Sequence, residues 1–316
     1  MVRNNRTALA PFRHTRVPSW KRVLGSWELY LLLAPAFVYF IIFSYVPMYG
    51  VVIAFKEFMP AKGIMGSKWV GMEQFKLFFN SYQFWPLIKN TILLNLYCLV
   101  FGFPLPILLA LMLNEVKTGF YKKFVQTVTY APHFISMVVI VSMMILFLSP
   151  ETGIVNKFMQ MFGMPAEDYM GKPELFRSLY VLSGIWQETG WSSILFLAAL
   201  AGIDYELHEA AIIDGANRLQ RIWFINLPGI LPTIIIVLIF TVSGMMNVGF
   251  EKVYLMQNAL NLSVSEVIST YVYKRGIQNA QYSFSTAVGL FNSVINFLLL
   301  LGVNKLSKRF SEISLW

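Results

Sequence analysis

Five windows of the chain contain no Asp, Glu, Lys or Arg: Leu29 to Phe55, Asn90 to Asn114, Phe124 to Pro150, Ile222 to Phe250 and Gly276 to Asn304. Each exceeds the roughly 20 residues a helix needs to cross the hydrocarbon core of a bilayer. A further apolar segment, about Leu179 to Gly202, is interrupted only by Glu188. In lipid every backbone N–H and C=O must find an internal partner. These runs lack the period-2 alternation of a membrane barrel, so helices are the way they can span. The expectation is an all-α integral membrane protein with six transmembrane helices. With 57% hydrophobic and 13% charged residues, the 316-residue chain has too few charged groups for an ordinary soluble domain.

The net charge of +9 does not point to nucleic acid, because Lys and Arg are not gathered on a soluble module. Arg3, Arg6, Arg13, Arg16, Lys21 and Arg22 instead precede the first apolar run, as retention of positive charge on the cytoplasmic side predicts. The first run is too long and too late for a cleaved signal peptide. The sequence therefore divides into a basic cytoplasmic tail (1–28), a six-helix transmembrane domain (29–304) and a short cytoplasmic tail (305–316). Both termini lie inside. The single cysteine, Cys98, allows no intrachain disulfide, and no Cys/His cluster has metal-ligand spacing.

Between two of the apolar runs lies an island of charge and helix punctuation, DYELHEAAIIDGANRLQRIWFINLPGILP, from Asp204 to Pro232. Asp204 is placed to cap a first helix over Tyr205 to Asp214, and Gly215 supplies the permissive stop. Asn217 with Gln220 three residues on has capping-box spacing for a second helix. Leu219, Ile222, Trp223 and Leu227 give that helix an apolar side, and Pro228 is read as its end. Two helices meeting at a glycine elbow make a docking surface.

Glu209-Ala210-Ala211, three residues, Gly215, nine residues, Ile225, one residue, Leu227-Pro228 resembles the EAA loop of the inner-membrane permease subunits of ABC importers. Asp214-Gly215-Ala216 has the form of the carbohydrate-uptake branch, and Arg218 is counted with these residues as part of the ATPase-coupling set. The phrases SYVPMYGVVIAFKEF, TYVYKRGI and TAVGLFNSVINFLLL resemble permeases for oligosaccharides derived from polysaccharides, and the resemblance runs from about Tyr30 to Trp316. It implies a heteromeric complex in the bacterial inner membrane. A second homologous permease would complete the path, an ABC ATPase dimer would sit beneath, and an extracytoplasmic solute-binding protein would deliver the sugar. It also implies that the island, 204–228, is the coupling loop on the cytoplasmic side. The chain has no GxxxxGK[ST] phosphate loop, so ATP and Mg belong to the partner ATPase; this chain is expected to be non-catalytic and to bind no cofactor.

Candidates for a sugar path need aromatic faces for pyranose rings and amides or hydroxyls for ring hydroxyl groups. Trp186, Trp191, Thr241, Ser243, Asn247 and Asn292 have that chemistry at suitable depth. Glu188 faces either the path or a structural partner, since an ionisable group in the membrane turns from lipid. His133 reads as a hydrogen-bonding residue at the interface rather than a proton relay. Asn292 and Asn296, four apart on one helix face, either knit the bundle or line the path. The segment Lys56 to Lys89 is read as carrying an amphipathic surface helix, which would explain Trp69, Phe75, Phe78 and Phe79. Lys252, Lys274 and Arg275 admit three roles: meeting an acidic oligosaccharide such as an alginate fragment, anchoring their loop, or binding a partner. The competing class is an ion-coupled secondary transporter, for which the sequence offers no convincing internal repeat. A membrane-embedded enzyme would need a catalytic pair that Glu188 alone does not supply.

Overall fold

The computed structural model describes residues 27–310; the basic N-terminal tail and the terminal Trp316 lie outside them. The described residues divide into two compact units, 27–52 and 53–310. In the first, helix α1 (Trp27–Phe40) contains Pro35 and passes through a π turn at Ile41–Tyr45 into a short helical piece at Val46–Met48. Tyr39 packs on Phe43 one turn further along, with ring centroids 5.0 Å apart.

The second unit opens with two strands of two residues each, β1 (Lys56–Glu57) and β2 (Lys68–Trp69), paired antiparallel. They are the small exception to an otherwise helical chain. The surface helix expected over Lys56 to Lys89 is not there as such. A short helix, α2 (Glu73–Phe79), buries Phe75 and Phe78 while Trp69 and Phe79 stay exposed. Phe78 meets the edges of Phe84, Phe284 and Phe291 at 5.0, 6.2 and 5.5 Å. Half of that aromatic set is therefore core, because α2 has long helices to pack on that local sequence does not reveal.

Five long segments follow. Helix α3 (Phe84–Tyr97) continues through a π turn at Cys98–Gly102 into α4 (Pro104–Glu115). Pro104 and Pro106 fall in the first turn of α4, where a missing N–H costs little, and the wider π turn absorbs the strain they bring. Helix α5 (Phe120–Tyr130) runs through a 3-10 turn and breaks by 96° before α6 (Met137–Leu148), capped by Ser136 Oγ. Helix α7 (Pro173–Ala201), 29 residues long, spans about 43 Å at 1.5 Å per residue. After the Asp204–Pro228 island, α10 (Leu227–Ser243) and α13 (Tyr282–Phe310) complete the set, with α8, α9, α11 and α12 described below. By length and apolarity four described helices can cross a membrane, or up to five if the bent α5–α6 pair counts as one. Helix α7 is long enough, but Glu174, Arg177 and Glu188 dilute its apolar character.

Packing is organised around α7. On one side Phe196 and Leu200 join Ile107, Ala110 and Leu111 of α4 and Ile230 of α10 in a buried cluster. On another, Phe176, Tyr180 and Val181 join Leu94 of α3 and Val141 of α6. Gly190 lets α5 approach closely: a Cβ there would fall 2.0 Å from the Thr129 carbonyl oxygen. Small residues at helix crossings serve this purpose in membranes, where lipid removes the hydrophobic drive between helices. Helices α10 and α13 are joined by polar groups. The Met246 N–H donates to Asn296 Oδ1 at 3.0 Å and Asn292 Nδ2 donates to Asn247 Oδ1 at 2.8 Å. Between α10 and α13 lie α11 (Phe250–Met256) and α12 (Ile268–Tyr273), the second continuing into a π turn at Lys274–Gln278.

Candidate functional site

The island is built as its local chemistry dictates. Asp204 caps α8 (Tyr205–Ile213), its carboxylate accepting from the Glu206 N–H at 3.0 Å. The helix ends in a reversal in which the N–H of Asp214 donates to Ala210 O at 3.0 Å and that of Ala216 to Ala211 O at 2.8 Å. Gly215 takes φ +78° there, the left-handed conformation for which glycine has no steric penalty. Asn217 then forms a reciprocal capping box with Gln220, 2.9 and 2.8 Å in the two directions, and opens α9 (Arg218–Arg221).

Pro228 does not end the second helix. Helix α9 passes through a π turn, Ile222–Asn226, directly into α10, with Pro228 in the first turn of α10. Ile225 thus sits in the π turn, and Leu227 and Pro228 begin the span. The stretch Arg218–Ser243 is one continuous helical path that begins three residues after the Gly215 elbow.

The island is fixed at its base and free above it. Arg221 Nη2 lies 3.9 Å from Glu115 Oε2 at the end of α4, and the buried Asn226 donates to Glu115 Oε1 at 3.5 Å. Ile203 seats against Gly229, where a Cβ would come within 2.6 Å of it. Sequence reasoning did not single out Glu115, Arg221 or Asn226; Glu115 beside the basic Lys117 to Lys123 turn was the available signal. Glu209, Asp214, Gly215 and Arg218 are exposed, and among the described residues no ion-pair partner of Glu209 lies within 4 Å. Around them Ile212, Ile213 and Leu219 are exposed, Ile213 at 85%. Apolar side chains bared beside charges on a built elbow mark an interaction surface.

Within the bundle two adjoining hollows of about 220 and 280 Å³ share Cys98, Gly102, Pro106 and Ser192 in their walls. The first also takes Thr241 of α10 and Met245 in the turn after it; the second takes Glu188, Thr189 and Lys252. Glu188 Oε2 is held 3.0 Å from His133 Nδ1, and the His133 ring stacks on Trp191 with centroids 4.4 Å apart. Lys252, 4% exposed, donates from Nζ to the Tyr180 carbonyl at 2.8 Å and lies 4.6 Å from the centre of that ring. Gly184 leaves the ammonium its room, since a Cβ there would meet Nζ at 3.2 Å.

The path candidates are thus distributed. Glu188 and Thr241 face the adjoining hollows. Trp186 lines a separate, apolar hollow of about 520 Å³ with Leu105, Val128 and Pro132. Trp191 is committed to His133. The Thr241 and Ser243 hydroxyls donate back to the Val237 and Phe240 carbonyls at 2.8 Å, and Asn247 and Asn292 bind each other. Of the three cations between α10 and α13, Lys252 anchors α11 to α7 and Lys274 pairs with Glu266 Oε1 at 3.3 Å.

A helical bundle with several segments long and apolar enough to cross a membrane, one of them carrying an exposed helical elbow at its start, defines an integral membrane protein. The chain belongs to the family described as the binding-protein-dependent transport system inner membrane component, which matches residues 102–312. It is an ABC transporter permease, a non-enzymatic inner-membrane subunit. The protein LplB of Bacillus subtilis is 47% identical over 93% of both chains. The polygalacturonan/rhamnogalacturonan transport system permease protein YteP of the same organism is 45% identical over 90% of this chain and 88% of its own. Among solved structures, a chain of a bacterial ABC transporter involved in import of the acidic polysaccharide alginate superposes with a TM-score of 0.85. It is 42% identical, covering 92% of this chain and 99% of its own. A second structure of a bacterial alginate ABC transporter, in complex with an alginate pentasaccharide-bound periplasmic protein, matches with a TM-score of 0.86 at 41% identity, over 94% and 99%.

Proposed function

We propose that this permease imports oligosaccharides, forming the inner-membrane path together with a second homologous permease and drawing its energy from an ATPase dimer. The observation that carries the coupling part is the unbroken run from the Gly215 elbow through α9 and the π turn into α10. The sugar class rests on the relatives, which include permeases named for polygalacturonan and for arabinooligosaccharides.

In this reading six spans cross the membrane, counting α1, α5–α6 and α7, and both termini are cytoplasmic. The island seats in a cleft of the ATPase, with Glu209, Ala210, Ala211, Asp214 and Gly215 at the joint. ATP and Mg are held by that partner and not by this chain. An extracytoplasmic solute-binding protein delivers the sugar. Closure of the ATPase dimer displaces the elbow; Ile203 against Gly229 and Asn226 against Glu115 carry the displacement into α7, α10 and α4. The hollow between them then alternates between its two openings, ligand and nucleotide each biasing a two-state equilibrium.

Glu188 and Thr241 are the path candidates that face this hollow. Trp191, Ser243, Asn247 and Asn292 would reach a sugar only after a change of partners, and Trp186 faces a separate apolar hollow. Reconstituted in proteoliposomes with its co-purifying subunits and binding protein, the wild-type complex is expected to take up labelled oligosaccharide with ATP inside. Uptake driven by an ion gradient without ATP would contradict the reading in favour of a secondary transporter.

A further inference from the structure

At the end of the bundle away from the island lies a cleft that the alternating path does not use. Helix α10 rises from the island, and its far end meets α13 at Asn296; Tyr282, where α13 begins, is 14 residues earlier, about 21 Å further out at 1.5 Å per residue. There β1, α2, the turn after α12 and the start of α13 enclose about 430 Å³. That lies within the roughly 300–1,000 Å³ of small-ligand sites.

Its walls include Gln74, Ser81, Tyr271, Arg275, Gln281 and Tyr282. Arg275 is held in place: its guanidinium carbon stands 5.3 Å from the centre of the Tyr271 ring, and Tyr271 is 3% exposed and so a fixed platform. The turn that carries Arg275 is closed by the Gln281 N–H donating to Arg275 O at 2.9 Å. Ala280 within that turn adopts φ +55°, a conformation non-glycine residues seldom take. Such local strain concentrates at functional positions. Across the cleft, the Phe58 N–H donates to Ser283 Oγ at 2.8 Å and pins β1 to α13.

Arg275 contacts Tyr271 but, among the described residues, has no counter-charge, and one hydroxyl of the wall is unpaired. Lys274 next door is paired with Glu266, but among the described residues no carboxylate lies within 4 Å of the Arg275 guanidinium, Glu57 in the opposite wall included. Ser81 Oγ is buried with no hydrogen-bond partner. A planar guanidinium fork matches a carboxylate, while aromatic faces, amides and a hydroxyl match a pyranose ring.

We propose that this cleft is an outer saccharide subsite, distinct from the hollow at Glu188 and Thr241, in which Arg275 takes the carboxylate of a uronic acid residue. The inference rests on the oligosaccharide reading above and narrows it to acidic sugars. Gln74 and Ser81 bind hydroxyl groups of the same ring, and Tyr282 supplies a wall of the cleft.

The test uses the whole complex in nanodiscs, with trigalacturonate and its carboxyl-reduced counterpart as probes and no binding protein present. Wild type is expected to bind the acid about tenfold more tightly than the reduced sugar, one charged fork's worth of discrimination. Arg275→Met should remove that preference, Arg275→Lys should restore part of it, and Gln74→Leu should weaken both probes. Assembly of each variant is checked by size exclusion with the co-purifying subunits. Equal affinity for the acid in wild type and in assembled Arg275→Met and Gln74→Leu overturns the proposal. So does a loss confined to binding-protein-stimulated ATPase with sugar binding intact, which would assign the cleft to a protein loop. Uptake assays in proteoliposomes separate the two levels. Uptake of neither sugar by wild type contradicts the oligosaccharide reading itself, whereas uptake of both with an acid preference indifferent to Arg275 contradicts the subsite alone.

Discussion

Gly215 and Gly190 are both required by geometry, yet they should fail differently when substituted. At Gly215 an added Cβ meets nothing within 4 Å, so Gly215→Ala introduces only backbone strain at φ +78°, about 1 kcal/mol, confined to the island. The spans should hold their thermal stability in detergent, measured by fluorescence-detected size exclusion. At Gly190 the Cβ would collide with backbone, the Thr129 carbonyl carbon and oxygen at 2.4 and 2.0 Å. Gly190→Ala must push α5 from α7 and should cost about 3 kcal/mol, near the top of the usual range for overpacking. The same assay should then register a clear fall in thermal stability. Asn296→Leu removes the acceptor of the Met246 N–H. Polar contacts between membrane helices average only about 0.6 kcal/mol, so the variant should assemble with faster amide exchange confined to the top of α10.

The elements differ in how far they could be read from sequence. The caps were legible because they are local: Asp204, Gly215 and the Asn217–Gln220 box each act within a few residues. Pro228 was misread because a proline is equally at home after a helix and in the first turn of one. What decides is the π turn at Ile222–Asn226, a backbone choice with no side-chain signature. Phe75 and Phe78 were read as facing the membrane surface, and their burial depends on α13, some two hundred residues away. Of the site, Glu188 was visible as an acid in an apolar run. The burial of Lys252 was not, since a lysine after a span looks like any loop cation until Tyr180 and Gly184 are brought to it. At this scale the testable element is the join between island and span. Asn217→Ala should cost about 1 kcal/mol of local helix stability, seen as faster amide exchange over Arg218–Arg221 with α10 protected as before.

For the molecule as a whole, the parts form one line from an exposed elbow, through α9, into the helix that walls the central hollow. The charge-free windows were enough to establish a helical membrane protein; the number of crossings was harder, because α5–α6 is bent and α7 carries three charged residues. In the proposed mechanism the Gly215 elbow transmits force from an ATPase partner. The most direct measurement is to purify the tagged chain in mild detergent from its native host, beside a Gly215→Asp variant, and to identify the accompanying proteins by mass spectrometry. An ABC ATPase and a second permease are expected with wild type, and the variant should lose the ATPase while retaining the second permease. Equal recovery of the ATPase in both, or recovery of wild type alone under conditions that preserve membrane complexes, would contradict the mechanism.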